Sequence, residues 1–160
     1  YDYGMNISLR DINISPERVM EKQVIREKQV KDGLKYLLDD EGNVVKDSLG
    51  NSIKVDKFKT ISCQVYQFTQ NKATQIVGNV EYHDIKRNQL IDTYPISSEF
   101  IFEHSYATFN GDKRALDDPY INLITRRAVP FPSNEQMIYD TGEDLKAKIK
   151  SIITQNSFRR

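Results

Sequence analysis

The amino-acid sequence predicts an α+β fold, in which an antiparallel β-sheet of about six or seven strands is packed on one face by a C-terminal amphipathic helix. Three observations predict it. Apolar and polar residues alternate with period two across a central meander at 58–106. A D-x-x-G-N motif occurs twice before the meander, and an apolar stripe at helical spacing follows it. A β-sandwich with the helix as an appendage is the alternative, and burial of Leu145, Ile149 and Ile152 against the sheet would exclude it.

The meander is predicted to contain three strands, Phe58–Thr69, Thr74–Ile85 and Leu90–Tyr106. In each strand one set of alternate residues is apolar, which is typical of a strand with one buried face. The polar stretches at 70–73 and 86–89 are short enough to join antiparallel neighbours, whereas a parallel return would need a crossover of about a dozen residues.

Two residues within the meander carry positional information. Pro95 cannot donate to a strand ladder, so it indicates an edge strand or a bulge near the start of the third strand. Gly78 lies in the middle of the second strand, where a glycine indicates a bulge or the close approach of another element.

Size and charge limit the classes of function. The 160 residues are predicted to form a single domain at 1–160. Lys plus Arg and Asp plus Glu both number 23, so the chain has no net field to attract nucleic acid or an anionic membrane. The single cysteine, Cys63, lies on the apolar face of a strand and is expected to be a small buried hydrophobic residue. The sequence begins without Met and at once resembles a strand, so we expect it to be excised from the C-terminal part of a longer protein.

The segment before the meander is predicted to begin with a strand over about residues 2–12. Ser15-Pro16-Glu17 resembles a helix start, with proline at the first helical position. Two interpretations stay open for residues 17–31. We prefer a short helical turn followed by a solvated strand, because the apolar face is thin, but a helix fits the residue types equally well.

The D-x-x-G-N repeat begins at Asp39 and again at Asp47, eight residues later. Asp at the first position can bond its own backbone two residues on, and Gly42 or Gly50 supplies positive φ. The repeat therefore predicts two turns, which join short strands at 34–38, 44–46 and 53–58. The ligand spacing of a calcium-binding EF-hand loop is absent, which favours turns over a metal site.

The C-terminal third is predicted to be helical. Asp118 and Pro119 are typical of an N-cap and a first helical residue, and the short helix that follows ends before the prolines at 130 and 132. Ser133 and Gln136 have capping-box spacing, and they begin an amphipathic helix over about 134–155. Residues 157–160 are expected to fray.

No catalytic frame is recognisable. His83 and His104 have no Cys or His neighbours at the spacing of a zinc site, and nucleotide-binding glycine motifs are absent from the sequence. The sequence therefore predicts a protein that is not an enzyme and that uses no cofactor or metal.

One region combines acidic, basic, aromatic and histidine side chains after the third predicted strand. Loops at the end of a sheet often carry binding residues, so these are the candidate binding residues, and a small-ligand or hydrolytic site there is the alternative function. The competing interpretation is an ion-paired loop that holds the C-terminal helix to the sheet, for example through pairs of Asp112 with Arg114 and of Glu103 with Arg126. The candidates are Glu103, His104, Tyr106, Phe109, Asp112, Arg114, Arg126, Arg127 and Phe131.

Several segments together resemble a known group of proteins. These are residues 32–56 with both D-x-x-G-N turns, Phe102-Glu103-His104, residues 111–116 and residues 130–135. They resemble the C-terminal region of uncharacterised envelope lipoproteins of Bacteroidota. A looser architectural similarity is to small envelope lipoproteins of lipopolysaccharide assembly or curli export, in which an Asp-containing turn such as Tyr82-His83-Asp84 precedes a long helix.

The resemblance implies a location rather than an activity. It implies a periplasmic domain, tethered to the outer membrane through an N-terminal part of the parent protein. With the absent catalytic residues and the neutral charge, it leads us to expect a non-catalytic domain that binds protein partners or assists assembly, without contacting nucleic acid or the membrane itself.

Overall fold

The computed structural model describes residues 1–157 and consists of four strands and two α-helices. The strands are β1 (Tyr3–Ile14), β2 (Arg18–Tyr36), β3 (Lys54–Asp84) and β4 (Gln89–Gly111). A short 3-10 turn at Lys113–Ala115 precedes α1 (Asp118–Ile124) and α2 (Asn134–Ser157). The expected fraying at 157–160 lies almost entirely outside the described residues.

The 31-residue strand β3 is the centre of the sheet. β1 pairs with β3 in antiparallel register from Tyr3 opposite Asp84 to Ile14 opposite Thr74. β2 and β4 also pair with β3. The predicted antiparallel sheet and α+β class are confirmed. The predicted number of strands is wrong, because the sheet formed by residues 1–157 contains four.

The main error is the predicted turn at 70–73, which is an uninterrupted part of β3. The polar residues Gln70 and Lys72 point inward there, and each is only 3% exposed. Gln70 bonds the backbone of Val129, and Lys72 donates to the carbonyl oxygen of Pro132. Their hydrogen-bonding partners lie about 60 residues away in sequence. Judged by local sequence alone, these buried polar residues therefore resemble a turn.

Three other predicted strands are not separate strands in the structure. The predicted strand at 34–38 begins within β2, and the one at 53–58 lies largely within β3. Residues 44–46 form no strand, and the repeat contributes only the isolated bridges Leu38 to Val44 and Lys46 to Ser52. Both predicted turns are confirmed, since Asp39 Oδ1 accepts from the N–H groups of Glu41 and Asn43, and Asp47 repeats the pattern.

Residues 18–31 are strand, so the solvated strand is confirmed and the helical turn is wrong. Ser15 explains the difference. Its N–H donates to the carbonyl oxygen of Ala73 at 2.8 Å, and its Oγ accepts from the N–H of Ala73 at 2.8 Å. These bonds hold the Ser-Pro-Glu link alongside β3. Because Ser15 is bonded to the strand there, no helix is needed to satisfy its backbone N–H.

The chain divides into two compact units. Strands β3 and β4 run through both of them. Unit 1 comprises residues 1–20, 69–104 and 128–160, and unit 2 comprises 21–68 and 105–127. The buried positions of β3 are odd-numbered in unit 2, as at Ile61 and Val65, and even-numbered in unit 1, as at Ile76 and Val80. Since successive side chains alternate along a strand, the buried face changes parity between residues 65 and 70.

The core of unit 2 contains Cys63, which is buried as expected, and the partly buried side chains of α1. In unit 2, Arg26 of β2 lies over the ring of Tyr120 of α1 at 5.0 Å and donates to its hydroxyl oxygen at 2.9 Å. Its buried residues are Ile61, Cys63, Val65, Ala107, Ala115 and Leu116.

The core of unit 1 lies between the sheet and α2. Leu145 is buried with Ile76, Val80 and Ile96, and Ile149 and Ile152 pack against this cluster. This packing confirms the α+β prediction over the sandwich. Ser133 begins α2 as predicted, because its Oγ accepts from the N–H of Gln136 at 3.1 Å. The reciprocal half of the predicted capping box is replaced by a bond from the Gln136 side chain to Asp140.

Polar bonds reinforce this packing. Ser98 Oγ donates to Asp144 Oδ2 at 2.5 Å, and Lys148 Nζ donates to the carbonyl oxygen of Ser97 at 2.7 Å. The Ser98 hydroxyl and the Lys148 ammonium lower the pKa of the Asp144 carboxyl, because both stabilise its charged form.

Candidate protein-interaction site

Strand β1 carries a row of apolar side chains on the face of the sheet that packs against α2. Register places Ile7 opposite Val80, Leu9 opposite Gly78 and Ile12 opposite Ile76. Residues directly opposite each other in an antiparallel pair point to the same face. The apolar row of β1, defined as Ile7, Leu9 and Ile12, therefore lies beside buried core residues.

The apolar row is nevertheless half exposed. The exposed fractions are 47% for Ile7, 55% for Leu9 and 45% for Ile12, although Val80 and Ile76 opposite them are buried. The buried cluster under α2 consists of side chains from β3, β4 and the helix, and β1 adds only the partly buried Met5. The helix thus covers β3 and β4 more completely than β1.

The outer edge of β1 is open in the described part of the chain, because β1 ends the order β1-β3-β2 and pairs only with β3. A bulge between Leu9 and Asp11 interrupts the ladder opposite Gly78. A Cβ at Gly78 would collide with the carbonyl oxygen of Ser8, so the predicted close approach at this glycine is confirmed. The regular edge available to a partner is therefore the stretch before the bulge, residues 3–9, which Tyr3 anchors by stacking on Tyr82 at 5.5 Å.

The candidate binding residues predicted from sequence are divided between the units. Glu103, His104 and Phe131 belong to unit 1, and the other six belong to unit 2. In unit 1, Phe131 meets the ring of Phe102 edge-on at 5.8 Å. Glu103 and Arg126 lie in different units, so their proposed pairing stays a prediction.

Within unit 2, two of the charged candidates, Asp112 and Arg114, pair with each other. Arg114 bonds both carboxylate oxygens of Asp112, the shortest contact being 2.7 Å from Nη2 to Oδ2, which confirms this predicted ion pair. The guanidinium bonds, the backbone N–H of Arg114 and the charge together lower the pKa of Asp112 to about 2. Asp112 also caps the 3-10 turn, so its carboxylate has a structural role.

The aromatic candidates of unit 2 also have near neighbours. Tyr106 stacks on Phe68 with the ring centres 5.1 Å apart, and Lys113 Nζ lies 5.2 Å from the centre of the Phe109 ring. Tyr106 and Phe109 both lie within β4 rather than in a loop, and these contacts give their rings structural roles. A small-ligand site in this region stays a prediction.

Other reactive groups are positioned in ordinary ways. His83 Nε2 lies 3.2 Å from Glu81 Oε2, and burial raises the pKa of the Cys63 thiol.

Among the described residues, no group of three or more His, Cys, Asp or Glu side chains is arranged to hold a metal ion. None of the described helices combines the length and apolarity needed to span a membrane.

Sequence reasoning missed the apolar row as a site, because alternation in β1 resembles alternation in any strand with one buried face. The available signal was the number of helices, since a single long helix is too narrow to cover all strands of a sheet. No family model, curated protein or solved structure matches this chain.

Proposed function

We propose that this chain is a non-catalytic envelope domain that binds a protein partner along the open edge of β1. The observation that carries the proposal is the half-exposed apolar row beside a strand edge that pairs with no other described residues. An extended partner segment pairing with residues 3–9 would satisfy the free backbone groups, and its alternate apolar side chains would cover Ile7 and Leu9.

The charge on β2, the strand at the other end of the order β1-β3-β2, supports the choice of β1. β2 carries six basic residues among its 19, and exposed basic side chains are a common protection of edge strands against pairing. β1 carries only Arg10, which lies at the bulge. The basic residues of β2 are Arg18, Lys22, Arg26, Lys28, Lys31 and Lys35.

The proposed location is the periplasm, with attachment to the outer membrane through another part of the parent protein. It is supported by the segments that resemble Bacteroidota envelope lipoproteins. The proposed lack of catalysis is supported by the local pairing of Asp112 with Arg114 and by the capping role of Asp112.

The test compares the wild type with Ile7→Lys and with the matched control Ile25→Lys. Ile25 is 64% exposed on the charged strand β2. Each protein is immobilised and incubated with Bacteroidota envelope extract at several salt concentrations, and its fold is checked by circular dichroism. We expect a protein that is captured by the wild type and by Ile25→Lys, is lost with Ile7→Lys, and slows amide exchange at residues 3–9.

Two results would contradict the proposal. One is that no protein is captured above background at any salt concentration. The other is that folded Ile7→Lys captures the same proteins as the wild type, since the bound surface would then lie elsewhere.

A further inference from the structure

A proline-rich segment of unit 1 lies against β3, and it has the features of a bound peptide. This proline strap, residues 128–132, has the sequence Ala-Val-Pro-Phe-Pro. Each proline fixes its own φ at about −65° and disfavours helical backbone in the residue before it. The strap is thus held extended by its own sequence.

Two buried polar side chains of β3 bond the backbone of the strap. The Gln70 amide donates from Nε2 to the carbonyl oxygen of Val129 at 2.7 Å and accepts from its N–H at 3.0 Å. Lys72 Nζ donates to the carbonyl oxygen of Pro132 at 2.8 Å, and Glu17 Oε1 lies 3.9 Å from the same ammonium. Each bond pairs a side chain with a main-chain group, as in the recognition of an extended peptide.

An aromatic contact completes the arrangement. Phe131 lies between the two prolines, and its ring meets Phe102 of β4 edge-on at 5.8 Å. An aromatic-lined groove with hydrogen bonds to a proline-rich backbone is a recurring way of binding such segments.

The buried polar residues distinguish this arrangement from simple core packing. A buried Lys or Gln is costly unless it is paired, and apolar residues would have packed a permanent linker without that cost. Thr74, the next inward residue on β3, has a buried Oγ1 with no hydrogen-bond partner. The inward face of β3 that carries Gln70 and Lys72 therefore also carries, at Thr74, a hydrogen-bonding group without a partner.

We propose that Gln70, Lys72 and Phe102 form a peptide-binding groove, which the chain's own strap occupies in cis. The partner it fits is an extended polypeptide segment with the pattern apolar–proline–aromatic–proline. This groove is separate from the edge of β1, so it would be a second binding surface in addition to the proposed function.

Competition by the strap determines how binding must be measured. A segment tethered in cis by a short linker has an effective concentration of roughly millimolar. A free peptide therefore competes poorly with the intact strap, and the groove has to be vacated first. The triple variant Pro130→Gly, Phe131→Ala and Pro132→Gly removes both the aromatic side chain and the restricted backbone.

The probe is the acetylated and amidated peptide Ala-Val-Pro-Phe-Pro-Ser, which copies residues 128–133. We expect it to raise the melting temperature of the triple variant and to shift the NMR signals of the Gln70 side-chain amide. Adding Gln70→Met to the triple variant should abolish the rise in melting temperature, whereas adding Ile7→Lys should leave both effects. A response no larger than that to a peptide of the same composition in scrambled order would overturn the proposal.

A second measurement uses the wild type and does not depend on folding of the triple variant. The Val129 amide is bonded to Gln70, so its hydrogen exchange reports opening of the strap. We expect it to exchange at least about tenfold faster than the Val80 amide in the core strand. Exchange of Val129 only at the rate of Val80 would mean that the strap opens only on global unfolding, which would exclude an exchangeable peptide.

Discussion

The side-chain amide of Gln70 satisfies both backbone polar groups of Val129, 59 residues further along the chain. Replacing Gln70 with Met keeps the side-chain length but leaves the N–H and C=O of Val129 without these partners. We expect Gln70→Met to lower the free energy of unfolding by about 1–3 kcal/mol, as for other buried groups that lose their partners.

Urea unfolding measures this change, and Gln75→Met is the matched control. Gln75 is an exposed residue of the same strand, so its replacement should change the free energy of unfolding by less than about 0.5 kcal/mol. Equal effects at the two positions would show that the bonds to Val129 contribute nothing to stability.

Two glycines of unit 1 should respond in opposite directions to replacement by Ala. A Cβ at Gly78 would collide with the backbone of Ser8, so Gly78→Ala should lower the free energy of unfolding by about 1–3 kcal/mol. Gly142 lies within α2 with open space around its Cα, so Gly142→Ala should raise it by about 0.5–1 kcal/mol. Urea unfolding of both variants checks the signs, and a loss of stability for Gly142→Ala would contradict the helical packing described for α2.

The fold could be predicted from the sequence where local rules decide the structure. The alternation around Ile76 and the cap at Ser133 both act within a few residues, and the structure confirms both. The continuity of β3 through Gln70 and Lys72 could not be predicted in this way, because it depends on partners about 60 residues away.

The candidate site illustrates the same limit. The alternation that predicts β1 says which side chains share a face, but the exposure of Ile7 depends on how far α2 extends across the sheet. The Asp112–Arg114 pair was predictable because its members are two residues apart.

The pKa of Asp112, about 2, predicts a dependence of stability on pH. Because the pKa is lower in the folded protein than the ordinary value of 3.8, the carboxylate contributes stability above about pH 4. That contribution should be lost as the pH falls from about 4 to about 2.

Carboxyl NMR titration of the variant Arg114→Ala tests the cause. We expect the pKa of Asp112 to rise toward its ordinary value but to stay below it, since the backbone N–H at position 114 still donates. Lys113→Ala is the control, because the charges that act on Asp112 come from Arg114 and Lys59. An unchanged pKa in Arg114→Ala would mean that the ion pair does not form in solution.

The two D-x-x-G-N turns should each depend on the aspartate at their first position. Asp39 Oδ1 accepts from the N–H groups of Glu41 and Asn43 at 3.0 Å and 2.8 Å, and no acceptor of this kind remains in Asp39→Ala. By analogy with helix caps, whose loss costs about 1 kcal/mol, we expect the Asn43 amide to exchange roughly fivefold faster in this variant. Asp39→Asn retains a side-chain oxygen and should keep most of the protection, and Asp40→Ala, in the same turn, serves as the second control.

Because Leu37, Val45 and Ile53 bond one another through their backbones, opening of the first turn should also expose the Val45 amide, whose acceptor is the carbonyl oxygen of Leu37. If Asn43 exchanges faster while Val45 keeps its protection, the two turns open independently and the repeat does not act as one cooperative unit.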